Sequence, residues 1–290
     1  MTKHISVGYD GSEPSAAAVA WAAEEAAVRG AHLHIVSCYS LPYMSAGAMG
    51  WGAPEMMDAL MNDATEHATA AKAMVATSHP ELHVSTHVGL GAASSALMEG
   101  RAFDDMIVVG GSGHHGAGAF WLGSTPRRLI RHSPCPVAVV RGAASREKPD
   151  RVVVGVDGSA PSDAALDWAG DHADLHHVEL VLVHAWAYPY VAVKQESLAT
   201  RDLMEVDAAC VLDQALERAR ERFGCTVSGR LVEDGAVPAL LGVARDGDLM
   251  VLGSRGHGAL VAGLLGSTVN AVLDRAEVPV VVVRCTDEER

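Results

Sequence analysis

The 290 residues, 49% hydrophobic at a mean hydropathy of +0.15, suffice for two domains with real cores and exclude disorder as the default. Acids outnumber bases 36 to 22, giving a formal charge of −14, and no Lys or Arg run tracks a phosphate backbone, which argues against nucleic acid as a partner. No apolar stretch approaches the ~20 residues that a bilayer span needs, and "MTKHISVGYDG" moves from a charged start into a strand and a turn without a secretory core, so the expected compartment is the cytoplasm.

The first predicted strand, "HISVGY", ends at Asp10 followed by Gly-Ser. Ser12 can cap a helix whose first turn accepts Pro14 and which stops naturally at Gly30. A second strand, "LHIVSCY", is followed by a longer loop and a strongly helical stretch over roughly 54–77. Strand three is "LHVSTHVG", strand four "DMIVVGG" and strand five "PVAVVR", with a helix opening at Gly123-Ser124-Thr125 between the last two. The chain then repeats itself. "VGYDGSEPSAAAVAW" (7–21) recurs as "VGVDGSAPSDAALDW" (154–168) with 10 of 15 positions identical, and 110–141 recurs as 253–284 with 13 of 32 identical.

The offset falls from 147 to 143 between the two blocks, so the second copy is four residues shorter there. A period of this size is domain duplication rather than a short solenoid. The second copy reads "RVVVGV" ending at Asp157, a helix capped by Ser159 with Pro161 in its first turn, "ELVLVHAW", a helix over roughly 196–222, "TVSGRLVE", "DLMVLGS" and "PVVVVR". The expected boundaries are a first domain over 1–141, an exposed linker "GAASREKPD" over 142–150 and a second domain over 151–290. Strands one, four and five are continuous β-branched runs, as in strands covered on both faces. The expected fold is α/β: two repeated doubly wound domains, each an open five-stranded parallel sheet with helices on both faces.

In such a sheet, ligands bind beyond the carboxyl ends of the strands, where strand order reverses. Gly8-x-Asp10 and Gly155-x-Asp157 arrive there from strand one, and Gly110 and Gly113, with Gly253 and Gly256, from strand four. Glycines there let backbone N–H groups approach an anion. Nine residues later Gly123-Ser124-Thr125, or Gly266-Ser267-Thr268, opens a helix whose positive end favours phosphate. A nucleotide with its phosphates between the glycine loop and the helix start fits this spacing. The competing reading has the glycines as tight βα turns and Ser124 or Ser267 as a plain N-cap; the twofold occurrence, each time with a strand-one Asp, favours the nucleotide. No Gly-Lys-Ser/Thr occurs, so this is not a Walker loop.

Asp10-Gly11-Ser12 together with G-x2-G-x9-G-S resembles the universal stress protein family, and the duplicated layout resembles its tandem actinobacterial members. The likeness covers essentially the whole chain, twice, and the glycine pattern is that of the ATP-binding branch. The resemblance implies ATP, with or without magnesium, as the cofactor. It implies that Asp10 and Asp157 lie near adenine and ribose, with Gly8 and Gly155 approaching closely beside them. Cys38 and Ala185 match the residue whose backbone recognises adenine. Gly110, Gly113, Gly123 and Ser124, and Gly253, Gly256, Gly266 and Ser267, match the phosphate and ribose loop, with Thr125 and Thr268 beside it.

The copies differ within that loop. Arg255 stands where the first copy has Ser112, so only the second offers a permanent cation. The first offers His114 and His115, read foremost as a solvated loop and secondarily as phosphate ligands when protonated, and His257 and Gly258 occupy the corresponding stretch. No His, Cys or carboxylate group stands at convincing metal-ligand spacing, and five cysteines without CxxC read as reduced thiols. One Asp per site, with no partnered base or nucleophile, points to a nucleotide-occupied stress-response or regulatory protein with at most slow hydrolysis. The alternative is an ATPase or nucleotidyl-transfer enzyme using the same cradle. The fifth strands would be exposed apolar edges unless paired. The resemblance implies that they pair the two halves, with a homodimer and an unidentified regulatory protein as expected partners.

Overall fold

A computed structural model describes residues 3–40, 53–102, 105–111, 122–141, 148–187, 198–256 and 265–285. The chain divides into two compact units, Met1–Glu147 and Lys148–Arg290. The first contains β1 (His4–Gly8), α1 (Glu13–Arg29), β2 (His32–Tyr39), α2 (Ala53–Ser78), β3 (Val84–Leu90), α3 (Ala93–Met98), β4 (Met106–Gly110), α4 (Ser124–His132) and β5 (Val137–Val140). Its strands are parallel in the order β3-β2-β1-β4-β5.

The second contains β6 (Arg151–Gly155), α5 (Ala160–His176), β7 (Glu179–Trp186), α6 (Leu198–Arg222), β8 (Val227–Glu233), α7 (Ala236–Val243), β9 (Leu249–Gly253), α8 (Ser267–Arg275) and β10 (Val280–Val283). Its strands are parallel in the order β8-β7-β6-β9-β10. The α/β expectation holds, with two doubly wound sheets of five strands.

The apolar runs explain the layering. Ile5, Val7, Met106, Ile107 and Val108 in one unit, and Val152, Val153, Val154, Met250 and Val251 in the other, are fully buried. A central parallel strand has helices on both faces and leaves no position for a polar alternation. In the first unit α1 and α2 pack together, as do α3 and α4, and right-handed crossovers put these pairs on opposite faces. Ser12 caps α1 by accepting the Ser15 N–H at 3.4 Å, and Gly30 ends it at φ 60°. Ser159 repeats the cap on α5, but there the left-handed terminal position at φ 53° falls to His177.

The short helices α3 and α7 are absent from the sequence reading. Six and eight residues long, they start at Ala92 and Gly235, which supply no side-chain cap, so neither periodicity nor a start signal marks them. Among the described residues no helix is long and apolar enough to cross a membrane.

Candidate functional site

Strand order in each unit reverses where β1 meets β4 or β6 meets β9. The registers Val7↔Val108 and Val154↔Val251 bring the two strand ends side by side. Asp10 leaves β1 into a turn made by its own side chain. Its Oδ1 accepts the Ser12 N–H at 3.1 Å and the Ser12 hydroxyl at 2.5 Å, while its N–H donates to Ser15 Oγ at 3.3 Å. Gly11 supplies the left-handed residue at φ 81°. The second unit reproduces this closely: Asp157 Oδ1 accepts from Ser159 N–H at 3.0 Å and its hydroxyl at 2.6 Å, and Gly158 stands at φ 77°.

One oxygen of each aspartate is therefore committed to shaping the turn and starting a helix. The other oxygen of Asp157 faces the glycine loop, because a Cβ on Gly256 would stand 2.2 Å from Oδ2. Strand one and strand four thus converge there, through a carboxylate and a glycine. The corresponding Gly113 lies outside the described residues, as do His114, His257 and Gly258.

Gly110 and Gly253 have a packing reason for being glycine. A Cβ would lie 2.7 Å from the Pro14 carbonyl carbon and oxygen in one unit and 2.5 Å from the Pro161 oxygen in the other, so the first helical turn rests directly on the end of strand four. Gly8 and Gly155 turn inward, where a Cβ would sit 3.3 Å from Leu97 Cδ1 or 3.1 Å from Leu252 Cδ2. These four glycines bring helix, strand and turn together at the switch point.

Gly123 and Gly266 close the loop base. Gly123 N–H donates to the Gly111 carbonyl at 2.9 Å, and Gly266 N–H to the Ser254 carbonyl at 3.1 Å. They, and not Ser124 or Ser267, are the N-caps of α4 and α8, and a glycine provides no capping side chain. The serines are the first helical residues, followed by Thr125 and Thr268. Their backbone N–H groups stand at the positive helix end, where an anion is favoured. The units differ at the next residue: Pro126 brings no N–H, whereas Val269 brings one. Arg255 is half-buried beside this helix start, its Cα 3.6 Å from where a Gly266 Cβ would be.

Cys38 and Ala185 occupy the penultimate positions of β2 and β7. The β1–β2 register ends at Gly8↔Val36, with Tyr9 N–H donating to the Val36 carbonyl at 2.9 Å. Backbone polar groups alternate sides along a strand, and the Tyr39 carbonyl accepts Gly91 N–H on the far side. The N–H and C=O of Cys38 therefore face the β1 side, past the last rung of that ladder. The same reasoning holds for Ala185, since Val156 N–H donates to the Val183 carbonyl at 2.9 Å. Burial raises the Cys38 thiol above its ordinary range.

Two neighbouring histidines are unmarked in the sequence. His67 of α2 packs on Gly11, its Nε2 2.5 Å from where a Cβ would be, and stands edge-on to Tyr9 with ring centroids 6.0 Å apart. In the second unit His184 Nδ1–H donates to the Val156 carbonyl at 2.7 Å, just before Asp157. No spacing marks these residues among 15 histidines; only the fold brings α2 over the turn.

The model described as Universal stress protein family matches residues 1–141 and again 149–284. A universal stress protein of Mycobacterium tuberculosis is 33% identical over 291 residues, covering 97% of this chain and 96% of its own length. A second from the same organism is 30% identical over 306 residues, covering 97% and 94%. Among solved structures, a universal stress protein from Archaeoglobus fulgidus superposes with a TM-score of 0.63 at 20% identity, covering 98% of both chains, a likeness of fold.

Proposed function

The chain belongs to the universal stress protein family, in its tandem form, and on that premise we propose that it is an ATP-binding stress-response or regulatory protein with one nucleotide site in each unit. The observation that carries this reading is the twofold convergence, at the switch point, of a strand-end backbone N–H and C=O, an aspartate turn and a glycine-capped helix start. Cys38 and Ala185 would meet the edge of the base with their backbone groups. Asp10 and Asp157 would meet the nucleoside, and the first-turn N–H groups of α4 and α8 the phosphates. Arg255 and the Val269 N–H give the second unit the stronger complement of phosphate donors.

Occupancy rather than turnover fits these residues. Each site brings a single aspartate with one oxygen held in its own turn, so the remaining oxygen would have to serve both the nucleoside and an attacking water, a poor arrangement for in-line attack on a phosphate. A regulatory role also calls for a downstream protein partner, and self-association of the chain belongs to the same reading.

The test is direct. Nucleotide released by heat from the purified protein is identified by chromatography, and calorimetry on stripped protein measures stoichiometry. About two ATP per chain supports the proposal and none removes it. Phosphate release in a single turnover at ~1 per second or faster would replace the binding protein with an enzyme.

A further inference from the structure

The first unit carries a row of imidazoles across β1, β2 and β3 that the nucleotide reading does not use. His32 Nε2 and His34 Nδ1 converge on one hydroxyl, Ser85 Oγ, at 2.7 and 2.8 Å. His4 on β1 stands beside His32 with ring centroids 6.0 Å apart, and His87 on β3 stands 6.2 Å from His34. Because β3 is the last strand in its unit's order, this bridge is a side-chain tie between the terminal strand and its single neighbour.

In the second unit fixed charges take the places of His4 and His32, and Val181 takes that of His34. Register puts Arg151 opposite Glu179 as it puts His4 opposite His32, and Ser228 opposite Val181 as Ser85 opposite His34. There Ser228 Oγ donates to Glu179 Oε1 at 2.6 Å, and Arg151 holds Asp248 through Nε at 3.0 Å and a terminal nitrogen at 2.6 Å. One copy ties its outer strand with imidazoles and the other with a carboxylate, while Arg151 joins β6 to the residue before β9.

We propose that the His32–Ser85–His34 bridge is an acid-operated latch that holds β3 in the first unit, and that the second unit, with β8 tied by Glu179, lacks it.

The protonation chemistry follows from the single hydroxyl. With both rings neutral, one donates its N–H to Ser85 Oγ and the other accepts the Ser85 proton. A first added proton goes to the far nitrogen of the donating ring and leaves the bridge intact. The second must occupy the accepting nitrogen. Both rings then point an N–H at Ser85, its own proton loses its acceptor, and two cations flank one oxygen.

The charged surroundings oppose both protons. His4, His83 and Arg101 act on His32, and Arg101, His87 and His4 on His34, each opposing a further positive charge when itself charged. Burial first, then these neighbours, hold both rings below the ordinary histidine range. A folded-state value below the unfolded ~6.5 means that the stabilisation is complete above that pH and is lost as pH falls through it toward the folded values.

Hydrogen exchange read by mass spectrometry tests this on the whole chain, with β8 as the internal control. Protection factors, corrected for intrinsic exchange, are compared at pH 7.5 and 5.0. Residues 84–90 are expected to lose at least ~10-fold in protection as the bridge opens, with no matched loss at 227–233. The double variant His32→Gln with His34→Gln keeps neutral hydrogen-bonding groups and should abolish the acid loss. Ser85→Ala should leave 84–90 weakly protected at pH 7.5 already, with little further change in acid. Equal responses of the two segments, an undiminished acid loss in the double variant, or wild-type behaviour of Ser85→Ala would each overturn the latch.

Discussion

Asp157 and Gly256 are in such close approach that a Cβ on the glycine would stand 2.2 Å from the carboxylate Oδ2. Because Oδ1 is tied to Ser159, the carboxylate cannot withdraw without giving up its turn. On the proposed nucleotide reading, Gly256→Ala should therefore displace Asp157 and weaken ATP binding in the second unit by at least about tenfold, an ordinary cost for an off-rotamer side chain plus a lost charged contact. Calorimetry on stripped protein should show one of two sites weakened, with the melting temperature lowered as the Asp157 turn loosens.

The two oxygens of the aspartates can be separated by substitution. Asp157→Asn keeps an oxygen acceptor for Ser159, so the turn and the stability should survive while nucleotide affinity falls. Asp157→Ala removes the acceptor as well and should cost a further ~1–2 kcal/mol of stability through the orphaned N–H and hydroxyl. Denaturant unfolding beside calorimetry resolves the two effects. Equal stability of both variants would show that the turn does not need the side chain.

Gly170 of α5 faces Phe223, whose Cε2 would lie 2.1 Å from an added Cβ. In an exposed helix Gly→Ala gains up to ~1 kcal/mol, but here overpacking should dominate and destabilise the second unit by ~1–3 kcal/mol. Urea unfolding gives the sign. Combining Gly170→Ala with Phe223→Leu should recover part of the loss.

His177 ends α5 at φ 53°, a conformation that the first unit assigns to Gly30. A left-handed residue with a Cβ costs ~1–2 kcal/mol relative to glycine. His177→Gly should raise stability by about 1 kcal/mol, visible as a higher denaturation midpoint at unchanged slope.

Ser6 is fully buried in β1, and its hydroxyl has no hydrogen-bond partner among the described residues. The corresponding residue of β6 is Val153, equally buried. An unsatisfied buried hydroxyl costs ~1–3 kcal/mol, so Ser6→Ala should stabilise the first unit by about 1 kcal/mol. A decrease in the unfolding midpoint would show that the hydroxyl contributes through packing.

Much of the architecture was legible because it rests on local patterns. Continuous β-branched runs, Ser-Pro helix starts and the exact recurrence of Asp-Gly-Ser fixed two doubly wound units, and the long helices lie within two residues of their expected bounds. The short helices were not legible: six or eight residues without a capping side chain carry no periodic signal, and packing against neighbouring elements holds them.

For the candidate site, the sequence by itself determined which residue types occur twice and at what spacing: the aspartates, the strand-four glycines and the Gly-Ser-Thr helix starts. Only the tertiary structure decided what each side chain faces. It assigned Gly110 and Gly253 to the close seating of a helix, tied one oxygen of each aspartate into its own turn and set the other oxygen of Asp157 against Gly256, and turned the backbone of Cys38 and Ala185 past the end of a ladder. It also gathered His32, His34 and Ser85, 53 residues apart at their widest, onto one hydroxyl. The physical reason is that spacing along the chain sets backbone conformation locally, whereas the partner of a buried polar group is chosen by strand register and helix packing, which join residues far apart in sequence.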